Sequence, residues 1–137
     1  MADMTTAQAA ALWSGLMILL MIVLAIRVIM TRQKHGIGLG DGGQPELTVA
    51  GRTFGNCAEY VPVGVGALAL LTLLGMPAYA VHAVGGVLFL GRLLHSFGLA
   101  PHKVTLARKA GMGLTFLSLI TAAGMLIVHA FIRGQPF

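Results

Sequence analysis

Apolar residues in this chain run in blocks rather than alternating with polar ones. No Lys, Arg, Asp or Glu interrupts the stretches from Thr5 to Ile26, from Tyr60 to Gly91 and from Ala110 to Ile132. A membrane-crossing helix needs roughly 20 predominantly apolar residues, so the first and last blocks are single spans and the middle one is too long for one. Gly75, Met76 and Pro77 divide it, because proline cannot continue a helical hydrogen-bond ladder. The pattern predicts helices over 8–31, 46–74, 78–98 and 104–132. The expected architecture is all-α, an integral membrane four-helix bundle formed by one domain over 1–137.

Composition supports the bilayer over water. Hydrophobic residues make up 57% of the chain and charged ones 9%, against roughly 25% charged in a soluble domain. A soluble bundle built from this sequence would lack the polar surface to cover its core. The N-terminus does not read as a signal peptide, since Asp3 stands where a basic region is expected. Cys57 is the single cysteine, which excludes an intrachain disulfide. The formal charge of +5 is less telling than its placement, and no nucleic-acid partner is expected. Arg27, Arg32, Lys34 and Arg52 flank the first connection, and Lys103, Arg108 and Lys109 flank the third. The second connection has neither Lys nor Arg. The positive-inside rule then turns the first and third connections to the cytoplasm, with Arg133 as a small counter-vote.

Against this apolar background, the polar residues of the second helix stand out. Arg52, Asn56 and Glu59 follow a spacing of four then three. At about 100° per residue, they share one face. Arg52 and Glu59 lie about 10.5 Å apart along the axis at ~1.5 Å per residue, too far for an easy ion pair within the helix. Each therefore needs a partner from another helix, another subunit or a ligand. In the third helix, Arg92 and His95 are three apart and also share a face. Arg108 opens the fourth helix near the same level, and Arg27 and Arg32 approach it from the first.

Several arginines with one carboxylate and one amide suit a ligand that carries more than one carboxylate and a single ammonium. Arginine binds carboxylates bidentately and stays charged. Glutathione has two carboxylates, one amine and a thiol, and matches this inventory. A neighbouring arginine would lower its thiol pKa from about 8.5 and enrich the reactive thiolate.

Plainer roles stand beside these. Arg27, Arg32 and Lys34 can snorkel at the interface, and Lys103 and Lys109 can act as topology charges. His82 and His129 fit satisfied polar positions. His102 sits in a loop without partners at metal-ligand spacing, so no metal site is expected. Cys57 fits packing or an exposed edge, and Trp13 an interfacial anchor. Gly36, Gly38, Gly40, Gly42 and Gly43 lack the Gly-Lys-Ser/Thr ending and preceding strand of a phosphate loop, leaving a flexible connection able to fold over a site. Pro62 either kinks the second helix or is simply a tolerated membrane proline. Paired small residues (Gly51 and Gly55, Gly64 and Gly66, Gly85 and Gly86, Gly111 and Gly113) permit close helix approach.

Arg52, Asn56, Glu59, Tyr60 and Pro62 together resemble the second-helix signature of the MAPEG family, the membrane-associated proteins in eicosanoid and glutathione metabolism. The approach through Leu39, Gly40, Asp41, Gly42, Gly43, Pro45 and Glu46, and the segment from Gly91 to Gly98, are similar to its bacterial branch. The resemblance spans essentially the whole chain. It implies a homotrimer in the bacterial inner membrane, with glutathione as co-substrate between neighbouring subunits on the cytoplasmic side. By position, Arg52, Asn56, Glu59, Tyr60 and Arg92 match glutathione contacts, and Arg32, rather than Arg27, matches the first-helix arginine. His95, counted with the glutathione contacts, stands where several members have a tyrosine that holds glutathione, and Leu99 where some have a second. Arg108 matches the catalytic fourth-helix arginine that activates the thiol, with Arg32 the fallback. The implied activity is a glutathione transferase acting on lipophilic electrophiles, extending to glutathione-dependent reduction of lipid hydroperoxides. Two alternatives stay open: a non-catalytic lipid-binding scaffold of the same family, and a small transporter or channel subunit using the intramembrane charges as a pathway.

Overall fold

The computed structural model describes residues 4–100 and 103–132. Four helices dominate it: α1 (Thr6–His35), α2 (Pro45–Leu73), α3 (Ala78–Gly98) and α4 (Leu106–Ile132). All four are long and apolar enough to cross a membrane. His102 and Arg133 lie outside the described residues.

Local chemistry sets the helix limits. Thr5 caps α1 through a capping box with Gln8, satisfying donors that the first turn leaves free. At the other end Gly36 adopts the left-handed conformation (φ 64°), and the Ile37 N–H donates to the Arg32 carbonyl at 3.0 Å. This glycine cap carries α1 four residues beyond the predicted end at 31. Pro45 occupies the first turn of α2, where its missing N–H costs nothing, and Glu46 sits beside the positive helix end. Helix α2 continues through Pro62, whose ring lies on an exposed side. Gly75, at φ 67°, makes the turn into α3.

Adjacent helices run antiparallel. The Thr6 hydroxyl donates to the Met76 carbonyl at 2.9 Å, joining the start of α1 to the α2–α3 turn. At the opposite end, Lys34 and His35 meet Glu46. Between α3 and α4, two short strands, β1 (Leu99–Ala100) and β2 (Lys103–Val104), pair antiparallel with Leu99 opposite Val104. The sequence pattern shows only a connection there, because two-residue strands are too short to produce a period.

Helices α3 and α4 form the tightest pair. A Cβ at Gly91 would lie 2.9 Å from Gly111 O and Thr115 N, and one at Gly111 would strike the His95 backbone. Trp13 lies against Gly85 and Gly86, and its indole N–H donates to His82 Nδ1 at 3.0 Å. Trp13 therefore locks α1 to α3, a packing role beyond the expected anchor, and His82 is its acceptor. Cys57 is buried in the core. The outward faces of α1 and α4 are strongly apolar: Val23, Met30, Ile120 and Phe131 are each more than 60% exposed. That surface is suited to acyl chains or protein, and water would not tolerate a patch of this extent.

Candidate functional site

Arg92 organises the polar interior. It is 1% exposed and reaches from α3 to both α2 and α4. Its Nε donates to Thr115 Oγ1 at 3.1 Å. One terminal nitrogen donates to Asn56 Oδ1 at 2.8 Å and to the Asn56 carbonyl at 3.3 Å, while the other meets Met112 Sδ at 3.4 Å. The guanidinium carbon lies 5.0 Å from the centre of the Tyr60 ring, a cation–π distance. Tyr60 is also edge-on to Phe116 of α4, with centroids 6.0 Å apart. No carboxylate pairs with Arg92 among the described residues; neutral acceptors and a ring face carry the buried charge.

The network fixes the Asn56 side chain. A guanidinium has donors only, so the amide oxygen must face Arg92. The Asn56 NH2 group is then directed away from Arg92 and remains a donor on a half-buried position. Arg52 and Glu59, on the same helix face, differ in being exposed. Among the described residues neither forms an ion pair. The expectation that both need a partner from outside their own helix therefore extends to the whole described chain.

Arg32 and Arg52 come together at a cavity of about 430 Å³, which Gly40, Asp41, Thr48 and Gly51 also line. One terminal nitrogen of Arg32 donates to the Gly40 carbonyl at 2.9 Å, drawing the glycine-rich connection over the cavity. Asp41 holds that fold: it accepts from the Thr48 hydroxyl at 2.7 Å and from the Gly43 N–H at 3.1 Å. The Thr48 hydroxyl first, and the Gly43 N–H second, hold its carboxyl below the ordinary range.

His95 is buried against the α3–α4 joint, 3% exposed. Arg108 is half-buried at the same joint, where its backbone packs on Gly98. Thr105 braces this start of α4, accepting from the Arg108 N–H at 3.1 Å and donating to the Gly98 carbonyl. The chain thus brings Arg32 and Arg52 to one cavity, joins Asn56, Tyr60 and Arg92 in one network, and places His95 and Arg108 at one joint. Glu59 belongs to neither the cavity nor the network. A separate apolar cavity of about 440 Å³ lies between Met76 and α4 at the opposite end, with His129 its only titratable lining group among the described residues.

Sequence reasoning missed Thr115, Met112 and the Asp41–Thr48 clasp. The first carried a usable signal: a threonine deep in an uncharged block needs an acceptor or donor nearby. The sequence profile of the MAPEG family matches residues 10–128. The chain belongs to the MAPEG family. It is 34% identical over 110 residues to the inner membrane protein YecN from two strains of Escherichia coli, an alignment covering 80% of this chain and 83% of YecN. All the matched positions in the second-helix signature, from Arg52 to Pro62, fall inside the family's span. As a MAPEG member with four membrane-crossing helices, the protein is an integral membrane protein.

Proposed function

We propose that this MAPEG protein is a glutathione transferase whose co-substrate binds where two copies of the chain meet, in a homotrimer. The observation that carries the reading is the exposure of Arg52 and Glu59 on a membrane helix without an ion-pair partner among the described residues. A charged side chain facing hydrocarbon costs up to about 2.5–3.5 kcal/mol at the centre of a membrane helix on insertion scales, and less toward its ends. A second protomer and a charged ligand together would remove that cost. Arg32, sharing a cavity with Arg52, adds a second guanidinium for a second carboxylate.

In this reading Arg32 and Arg52 bind the carboxylates of glutathione, Glu59 takes its ammonium and the Asn56 NH2 donates to the peptide. Arg92 and Tyr60 act beneath them, holding Asn56 in orientation. Arg108 stabilises the thiolate. The thiolate sulfur then attacks an electrophilic carbon, forming an S–C bond as the leaving group departs with its electron pair. The exposed apolar flanks of the helices give a membrane-dissolved electrophile a route in. The basic first and third connections support a site on the cytoplasmic side of the inner membrane by the positive-inside rule.

The test is calorimetric titration of the purified protein in detergent with glutathione, followed by conjugation of a chloronitrobenzene. Saturable binding with turnover is expected. Binding without turnover of any electrophile would favour a lipid-presenting scaffold. Failure to bind glutathione removes the reading.

A further inference from the structure

A second cationic feature of α1 lies outside the glutathione reading. Val23, Arg27, Met30 and Lys34 follow spacings of four, three and four, which keeps them within about 60° on one helical face. Together with Ile26 and Glu46 they line a cavity of about 510 Å³ between α1 and the start of α2. Val23 and Met30 are 61% and 63% exposed. Arg27 is exposed and forms no ion pair among the described residues.

The cavity is graded along the membrane normal. Its inner end is apolar, with Val23 and Ile26. Arg27 follows, and Lys34 stands about 10.5 Å further toward the helix end at ~1.5 Å per residue. Lys34 and His35 both converge on Glu46 Oε2, at 2.8 and 3.0 Å. Glu46 is therefore already occupied by two basic partners, and the guanidinium of Arg27 is left without an ion pair among the described residues. A single-chain amphiphile with a cationic head would meet repulsion here. A phosphodiester carried on acyl chains fits both ends of the gradient.

We propose that this face of α1 binds an anionic phospholipid, its phosphate on Arg27 and the basic end of the cavity, its acyl chains along Val23 and Ile26. A merely snorkelling arginine would add only the general attraction of a basic residue to an anionic surface, the same at Arg27 as at Lys109. An open groove with an unpaired guanidinium between its apolar and basic ends favours a ligand that is anionic at the head and apolar at the tail.

Native mass spectrometry of the full chain tests this, with phosphatidylglycerol and phosphatidylcholine of matched acyl chains added in equal amounts. Preferential retention of phosphatidylglycerol is expected. Arg27→Gln should cut that retention roughly fivefold, the scale of one basic residue at an anionic surface, while Lys109→Gln leaves it unchanged. Excess inorganic phosphate should not displace the lipid. Equal retention of the two lipids, equal loss in both variants, or displacement by phosphate would each overturn the proposal. Glutathione titration of Arg27→Gln separates the two sites: unchanged binding is expected, and its loss would assign Arg27 to the glutathione pocket instead.

Discussion

Arg92 and Arg52 are both arginines inside a membrane bundle, yet the chain treats them in opposite ways. Arg92 is sealed in, with acceptors on two neighbouring helices and a ring beneath its face. Arg52 lies open, beside a cavity, and forms no ion pair among the described residues. The first is a structural charge completed by its own chain. The second is complete only with something added. The same contrast separates two regions: the α3–α4 joint is packed backbone to backbone, while the α1–α2 end holds both charged cavities and a loop pinned by two side-chain contacts.

The sharpest break of that comparison is at the joint. Gly111→Leu drives a side chain into the His95 backbone, which cannot yield as a flexible side chain could. A loss of about 3 kcal/mol or more is expected, toward the upper end for overpacking. Thermal unfolding in detergent reads it. Gly113→Leu is the matched control, since nothing lies within 4 Å of a Cβ there; equal losses would mean that the joint is not the rigid half.

The two arginines should then separate by readout. Arg92→Met leaves the half-buried Asn56 Oδ1 without its donor and should cost about 1–3 kcal/mol of stability, the scale for losing a hydrogen bond from a charged group. Arg52→Ala and Glu59→Gln should leave stability within about 0.5 kcal/mol. Each should weaken glutathione binding by about 1–3 kcal/mol, the range for losing charge-assisted hydrogen bonds. If Arg52→Ala unfolds the protein while binding glutathione normally, the assignment of roles is reversed.

Much of this division was legible in the sequence, and the reason is physical. Charge-free blocks set the four helices because the bilayer imposes length and apolarity on any span. The four–three spacing of Arg52, Asn56 and Glu59 set their shared face, and a distance of about 10.5 Å at ~1.5 Å per residue forbade self-pairing. The partner of Arg92 was not legible. Asn56 and Thr115 are 36 and 23 residues away, and only the packing of glycines 91 and 111 brings the α4 threonine within reach. The packing role of Trp13 was not legible for the same reason: a tryptophan near a helix start reads only as an interface anchor until Gly85 and Gly86 are seen to make room for it.

Arg108 sharpens the comparison from the catalytic side. It is half-buried at the rigid joint, so its position does not depend on the loop. Arg108→Ala should leave glutathione affinity nearly unchanged. Conjugation at neutral pH should fall about tenfold, as for a thiol pKa raised by one unit. A pH–rate profile decides the cause: turnover should recover at alkaline pH, where the unassisted thiol ionises. A uniform loss at every pH would move thiol activation to another group.

The smallest effect is expected at the loop. Asp41 is fully solvent-accessible, and hydrogen bonds from Thr48 and Gly43 depress its carboxyl pKa in the folded loop. The opened loop then binds the proton more readily than the closed one. The clasp is fully present above the ordinary aspartate value of about 3.9 and is lost as pH falls through the lower folded value. Hydrogen exchange at the Gly43 amide, corrected for its intrinsic rate, should show protection fading only in that acidic window. Asp41→Asn should flatten the pH dependence, because an amide can still accept from Thr48 but has no proton to gain. Protection at Gly111, in the packed joint, should not respond to either change; a parallel loss there would show that the loop and the joint open as one unit.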